Sequence, residues 1–164
     1  GLDVKTNDVI GLSQRGGTIW GSVKMGEKIH SPNIAPGDAD ILIAFEKLES
    51  KRWKHMLKQK DSIAIINEYE IAPTLVQQGD KEYPEDVLEN MKQKSEVISL
   101  DATATGAKMG NPAIANILLL GIAARYMDIS VETWFKTFEQ YLPAKFVELN
   151  KKAFMYGYEQ DYLK

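Results

Sequence analysis

Three short apolar runs, separated by helical patterns, constrain the fold of this chain more than any other feature of its sequence. The runs occupy residues 41–45, 62–67 and 97–100, and continuous apolar runs of this length are typical of strands covered on both faces. Amphipathic patterns predict helices over 48–60 and from Tyr83-Pro84 onward, where a proline stands at the first helical position. This alternation of strand and helix predicts a parallel sheet with right-handed crossovers.

The last third of the chain is predicted to be helical. Helices are expected at 112–127, 130–141 and 143–157, with Asn111 and Ser130 as the side-chain caps of the first two. Apolar residues recur at helical spacing along each of them. We therefore expect these helices to pack together at the C-terminal side of the sheet.

A β-hairpin is predicted near the N-terminus. Residues 19–25 are rich in apolar and β-branched side chains, Gly26-Glu27 signals a turn, and 27–30 would form the second strand. The sequence contains no repeat, low-complexity tract or linker that would divide it. We therefore predict one α/β domain over residues 1–164, a three-layer Rossmann-like fold with a mostly parallel sheet and a helical C-terminal part.

Composition excludes several classes of function. The chain has no cysteine, which excludes disulfides, thiolate zinc sites and iron–sulfur ligation, and which fits a cytoplasmic location. Its two histidines are too few for a histidine-rich metal site or a Ser-His-Asp triad, so no metal site is expected. A net charge of −3 argues against a nucleic-acid or membrane-surface partner. The longest apolar stretch, 113–124, is shorter than the roughly 20 residues of a membrane span.

Two common kinds of catalytic motif fail in this sequence. Residues 16–21 have the opening of a phosphate-binding loop, but Ser22-Val23 stands where lysine and Ser/Thr are required. Glu46 and Glu49 are more simply explained as a solvated helix face than as a catalytic pair, and the same holds for the acids within 82–86. No catalytic residue is therefore predicted.

The segment Gln14-Arg15-Gly16-Gly17 remains as a candidate site. Adjacent glycines permit positive φ and a close backbone approach, and the Arg15 guanidinium offers five donors in a planar fork. The segment is either a tight turn with a surface arginine or a loop that meets an anion or a partner. Asn111 has similar alternatives, since it either caps a helix or adjoins an anion at that helix N-terminus.

Three segments taken together resemble one enzyme family. They are residues 4–17, which end in Ser-Gln-Arg-Gly-Gly, residues 31–42, which begin with Ser-Pro-Asn-Ile, and residues 45–52, which contain Glu46 and Glu49. Over essentially its whole length, the chain resembles the γ-type domain of 2-oxoacid:ferredoxin oxidoreductases. The form of these segments is nearest the small (β) subunit of indolepyruvate ferredoxin oxidoreductase.

This resemblance implies a division of labour between subunits. In this family thiamine diphosphate attacks the 2-oxo acid, electrons pass through iron–sulfur clusters to ferredoxin, and coenzyme A takes the acyl group. The cofactors are expected on a large partner subunit. This chain is then expected to be a structural subunit that binds no cofactor and is inactive alone. The residues expected at the interface or near coenzyme A are Gln14, Arg15, Gly16, Gly17 and Asn111.

Two further expectations concern the extent of the domain and the choice of substrate. Members of the family usually begin with a strand, a Gly-x-Gly-Gly-Gln-Gly turn and a helix. This unit of roughly 25–35 residues is expected to be missing here, which would leave the domain N-terminally incomplete. The alternative functions are a γ subunit for pyruvate or 2-oxoglutarate, a stand-alone α/β module that binds a small anion through the Arg15 loop, and, ranked last, an independent enzyme that uses carboxylates.

Overall fold

The computed structural model of the protein describes residues 1–10, 19–79 and 82–160, except for the side chains of residues 74 and 75. The strands in these ranges are β1 (Asp3–Ile10), β2 (Ile19–Gly26), β3 (Ile41–Ala44), β4 (Ile63–Asn67) and β5 (Glu96–Leu100). The α-helices are α1 (Lys47–Trp53), α2 (Thr74–Gln77), α3 (Val87–Lys92), α4 (Ala102–Lys108), α5 (Ala115–Ala124), α6 (Val131–Tyr141) and α7 (Ala144–Glu159). Short 3-10 turns occupy Lys54–Met56 and Pro112–Ile114.

The three apolar runs form one parallel sheet, as predicted. Its strand order is β3-β4-β5, and Ile65 in the central strand pairs with Ile43 on one side and Ile98 on the other. All five residues of β4 are buried. A central strand covered on both faces needs apolar residues at every position, which explains why the signal in the sequence was continuous rather than alternating.

Helices cover both faces of this sheet, which confirms the three-layer architecture. On one face Ile63 and Ile65 pack with Leu118 and Ile122 of α5. On the other face Ala64 and Ile66 pack with Met91 of α3 and neighbouring residues. Helix α7 lies against α5, and α6 lies against α7. The C-terminal helices thus extend the layer formed by α4 and α5.

The predicted hairpin between 19–25 and 27–30 is wrong. Strand β2 pairs instead with β1, antiparallel along its whole length from Asp3↔Gly26 to Ile10↔Ile19. A tight two-residue turn needs left-handed backbone at its centre, and Gly26 does not adopt positive φ. The chain after β2 leaves the ribbon, where the Ile29 amide donates to the Asp3 carboxylate at 2.9 Å.

Several helix boundaries also differ from the predictions. Helix α1 ends at Trp53 and continues only as a 3-10 turn, so it stops short of Lys60. Helix α3 begins at Val87 with Asp86 as its N-cap residue, so Pro84 does not stand at its first position. The predicted helix 112–127 begins as a 3-10 turn and is regular only from Ala115. In each case the apolar periodicity continues beyond the regular α-helical hydrogen bonds, because a local pattern predicts the existence of a helix better than its ends.

Candidate functional site

The carboxyl ends of the three parallel strands meet at one edge of the sheet, which we call the carboxyl edge. It comprises residues 45–46 after β3, residues 67–71, which begin with the last residue of β4, and residues 101–103 after β5. Open parallel sheets bind ligands outside the carboxyl ends of their strands. This edge is therefore the first part of the described structure to test for a functional site.

Asn67 holds the carboxyl edge together. Its side-chain amide donates to the Phe45 carbonyl at 3.1 Å and to the Thr103 hydroxyl at 2.9 Å. Its side-chain oxygen accepts from the Ala102 amide at 2.9 Å. Only 3% of the residue is exposed. Because both of its amide hydrogens are engaged within the protein, Asn67 positions three strand ends and does not bind a ligand.

Glu46 is the buried carboxylate of this edge, and it too is engaged by the protein. It accepts from the Glu49 amide at 2.9 Å, from the Ile71 amide at 3.2 Å and from the Tyr83 hydroxyl at 2.6 Å. The first of these contacts caps α1. Burial, together with the hydrogen bond to Glu46, raises the pKa of Tyr83. Glu49 forms an ion pair with Arg52 at 2.7 Å, so the two glutamates do not face each other as an acid–base pair.

The exposed part of the carboxyl edge is apolar and acidic. Phe45, Tyr69 and Ile71 present large apolar side chains to solvent. Glu68 accepts from the Ser99 hydroxyl at 2.7 Å, and Glu70 is paired with Lys47 at 2.7 Å. These apolar residues stand directly after two strands, and this position could have been recognised from the sequence, but no functional surface was predicted there. Such a surface offers contact to a partner, whereas its carboxylates oppose the phosphates of a nucleotide-like ligand.

Metal binding has no support in the described part of the chain. Within residues 1–10, 19–79 and 82–160, no three His, Asp or Glu side chains converge in a way that could hold a metal ion. No helix in these ranges is long and apolar enough to cross a membrane. Among the described carboxylates at the carboxyl edge, Glu46 and Asp101 cap helices, Glu70 forms an ion pair and Glu68 accepts from the Ser99 hydroxyl.

Of the site residues predicted from the sequence, only Asn111 lies within the described residues. Gln14, Arg15, Gly16 and Gly17 lie outside the described residues. Asn111 is described, and its side chain accepts from the Ala113 amide at 2.9 Å as the cap of the 3-10 turn before α5. Its own amide donates to the Gly106 carbonyl at the C-terminal part of α4. Asn111 therefore lies at the opposite end of α4 from the carboxyl edge, about 10 Å along the helix.

Comparisons with known proteins agree with this fold. The pyruvate ferredoxin/flavodoxin oxidoreductase family profile matches residues 1–160. The indolepyruvate oxidoreductase subunit IorB of Archaeoglobus fulgidus is 31% identical, covering 98% of this chain and 81% of the relative. The same subunit of Pyrococcus horikoshii is 28% identical, covering 96% of this chain and 80% of the relative.

Solved structures share the fold at lower identity. The γ subunit of a keto/oxoacid ferredoxin oxidoreductase from Geobacter sulfurreducens has a TM-score of 0.66 at 22% identity, covering 96% of this chain and 79% of its own. The 2-oxoglutarate:ferredoxin oxidoreductase of Magnetococcus marinus, solved with 2-oxoglutarate, coenzyme A and succinyl-CoA, has a TM-score of 0.68 at 19% identity, covering 96% of this chain and 25% of its own. A profile match over residues 1–160 and a 31% identical relative, on a shared fold, together assign the chain to the pyruvate ferredoxin/flavodoxin oxidoreductase family.

Proposed function

We propose that this protein is a non-catalytic structural subunit of a 2-oxoacid:ferredoxin oxidoreductase that acts on indolepyruvate or a related aryl pyruvate. The observation that carries the proposal is the 31% identity, over nearly the whole chain, to a protein named as an indolepyruvate oxidoreductase subunit. The carboxyl edge supports the non-catalytic part. Asn67 and Glu46 there are fully used to hold the fold, and they leave no acid–base pair free for chemistry.

The cofactors belong on a larger partner subunit in this proposal. Thiamine diphosphate and iron–sulfur clusters there would supply the oxidative decarboxylation and the transfer of electrons to ferredoxin, with coenzyme A as the acyl acceptor. The absence of cysteine from this chain supports that division. It also fits a cytoplasmic location, where structural disulfides are rare.

The contact with coenzyme A or with the partner is assigned to Gln14, Arg15, Gly16 and Gly17, with Asn111 as a further candidate. The charge of the carboxyl edge supports this choice indirectly. Glu68 and Asp101 are exposed there, and Lys47 is paired with Glu70. The phosphates of coenzyme A would be repelled at that edge, whereas a planar guanidinium pairs with a phosphate or a carboxylate through two hydrogen bonds.

The test is reconstitution with the large subunit of the same organism. The pure chain, supplied with indolepyruvate, thiamine diphosphate, coenzyme A and a viologen acceptor, should reduce no viologen above background. Addition of the large subunit should give activity that depends on this chain. Robust turnover by the pure chain would overturn the structural role.

A comparison of 2-oxo acid substrates decides between the alternative enzyme assignments. Indolepyruvate should give a higher kcat/KM than pyruvate or 2-oxoglutarate in the reconstituted enzyme. A preference for either of the other two acids would assign the chain to a γ subunit of that enzyme class. Failure to bind any large subunit, together with binding of a small anion by the pure chain, would favour the stand-alone module.

A further inference from the structure

The β1–β2 ribbon has its polar face turned toward the rest of the protein. Ser22 donates to the Pro32 carbonyl at 2.9 Å, and Asn7 donates to Asn33 at 3.0 Å. Trp20 and its cross-strand neighbour Val9 are the apolar members of this inner face, and the Trp20 ring lies 4.9 Å from that of Trp53. These contacts fix the ribbon on the segment between β2 and β3 and on the end of α1. The inner face is thus occupied mainly by hydrogen bonds.

The outer face of the same ribbon is apolar and exposed. Its cross-strand pairs are Val4↔Met25, Thr6↔Val23, Asp8↔Gly21 and Ile10↔Ile19. Ile10 and Ile19 are 73% and 70% exposed, and Val23 is 58% exposed. An antiparallel sheet with one face in water normally turns its polar residues outward. Here the polarity is inverted, so the outer face is built to be covered.

The exposed apolar side chains of this face indicate a partner protein. The pair Asp8↔Gly21 separates Ile10↔Ile19 from the other two outer pairs, and exposed apolar side chains stand on both sides of it on both strands. Clusters of exposed large apolar side chains mark interaction sites, whereas singly scattered ones are ordinary. A two-stranded ribbon is also only marginally stable by itself in water, so a covering surface would stabilise it.

Asp8 specifies the chemistry of that partner. It is the one acid on the outer face, and it faces Gly21 on the neighbouring strand. A Cβ added at Gly21 would lie 2.8 Å from the Asp8 carboxylate, which shows that the carboxylate extends across the space over the glycine. Within the described ranges no ion pair reaches it. A covering protein must therefore bring a cation to this point to avoid burying an unpaired charge.

A second copy of this chain fits the face poorly. Association about a two-fold axis near the middle of the ribbon would bring two Asp8 carboxylates together, and like charges at an interface are strongly unfavourable. A partner with an apolar surface and a lysine or arginine opposite Asp8 meets both requirements. We propose that the outer face of the β1–β2 ribbon is the docking surface for the large partner subunit. The identity of that partner rests on the proposed function.

Binding of the full chain to the purified large subunit tests this docking surface. Val23→Lys should weaken association at least tenfold, because it adds a charge to the apolar face opposite an apolar surface. Asp8→Asn should weaken association severalfold and should reduce its dependence on salt. Tyr141→Lys is the matched control, since Tyr141 is 73% exposed on α6, and this variant should bind like wild type. Circular dichroism checks that each variant is folded, and Val23→Thr replaces Val23→Lys if the latter unfolds.

The outcomes separate this inference from the proposed function. If wild type binds the large subunit and folded Val23→Lys binds equally well, the docking surface is wrong and the proposed function stands. If wild type does not bind an active large subunit, the proposed function fails and the choice of partner fails with it. If wild type alone forms a dimer that Val23→Lys abolishes, the face joins two copies of this chain and the proposal is overturned.

Discussion

Helices α5 and α7 cross with their backbones in contact, and two glycines make this possible. A Cβ added at Gly121 would lie 2.1 Å from the Phe154 carbonyl oxygen, and one added at Gly157 would lie 2.1 Å from the Leu118 carbonyl oxygen. Both glycines are buried within their helices. Gly121→Ala therefore requires the two helices to separate, and we expect it to destabilise the whole domain.

The magnitude follows from two opposing effects. Alanine is a better helix former than glycine by about 1 kcal/mol, which favours the variant. A carbon–oxygen contact normally lies at about 3.3 Å or more, so the crossing must open by about 1 Å and loosen the packing of Phe154, Leu118 and Ile122. Overpacking of a rigid core costs about 1–3 kcal/mol and sometimes more. Because backbone rather than a flexible side chain must move, we expect a net loss near the top of that range, about 3 kcal/mol.

Urea denaturation with linear extrapolation measures this free energy of unfolding. A loss of this size should also lower the Tm by about 6–12 °C in a domain of this length. Gly157→Ala should have a similar effect. The double variant should lose less than the sum of the two, because the first substitution already separates the helices. Glu148→Ala is the control on α7, where Glu148 is 78% exposed, and it should change stability by about 0.5 kcal/mol or less. A neutral or stabilising Gly121→Ala, or strict additivity, would refute the argument.

Three other substitutions test the carboxyl edge and the Arg15 segment. Asn67→Ala removes three hydrogen bonds from a buried site and should cost about 2–4 kcal/mol in thermal unfolding. The raised pKa of Tyr83 means that the folded state keeps this proton more tightly than the unfolded state does. Stability should therefore fall as pH rises past about 10, and Tyr83→Phe should make that fall shallower. Arg15→Ala should leave the Tm nearly unchanged, while weakening association with the large subunit by about 2–5 kcal/mol or raising the KM for coenzyme A.

Each of these expectations has a definite contrary result. Wild-type stability in Asn67→Ala would mean that the strand ends are held by backbone contacts alone. An unchanged alkaline profile in Tyr83→Phe would show that another group, such as Tyr126, whose pKa is also raised, dominates in that range. A lower Tm in Arg15→Ala without any effect on association or KM would identify Arg15 as a structural residue of its turn.

Local sequence patterns were sufficient for the parallel sheet. The runs at 41–45, 62–67 and 97–100 match β3, β4 and β5 to within one residue at each end. This worked because a strand buried on both faces must be apolar at every position, which is a property of adjacent residues. The caps Asn111 and Ser130 were found for the same reason, since each bonds an amide two or three residues away.

Features that join distant parts of the chain could not be obtained in this way. Nothing local identified β1 as the partner of β2, because β1 mixes polar and apolar residues and turns its apolar side outward. Helix α4 was not predicted, and it is fixed by the cap at Asp101 and by Asn67 from another strand. The hydrogen bond between Tyr83 and Glu46 likewise joins residues 37 positions apart. The helix that was expected to start at Pro84 starts at Val87 instead.

The sequence by itself therefore determined the α/β class, the three central strands and the absence of cysteine ligands, since composition and short-range periodicity specify these. The tertiary structure alone decided which glycines are indispensable. From the sequence alone, an interior glycine such as Gly121 indicates only a lower helix propensity. It becomes a requirement because Phe154, 33 residues later, brings its carbonyl to that position. The tertiary structure also decided which face of the β1–β2 ribbon is exposed, because that depends on where the rest of the chain packs.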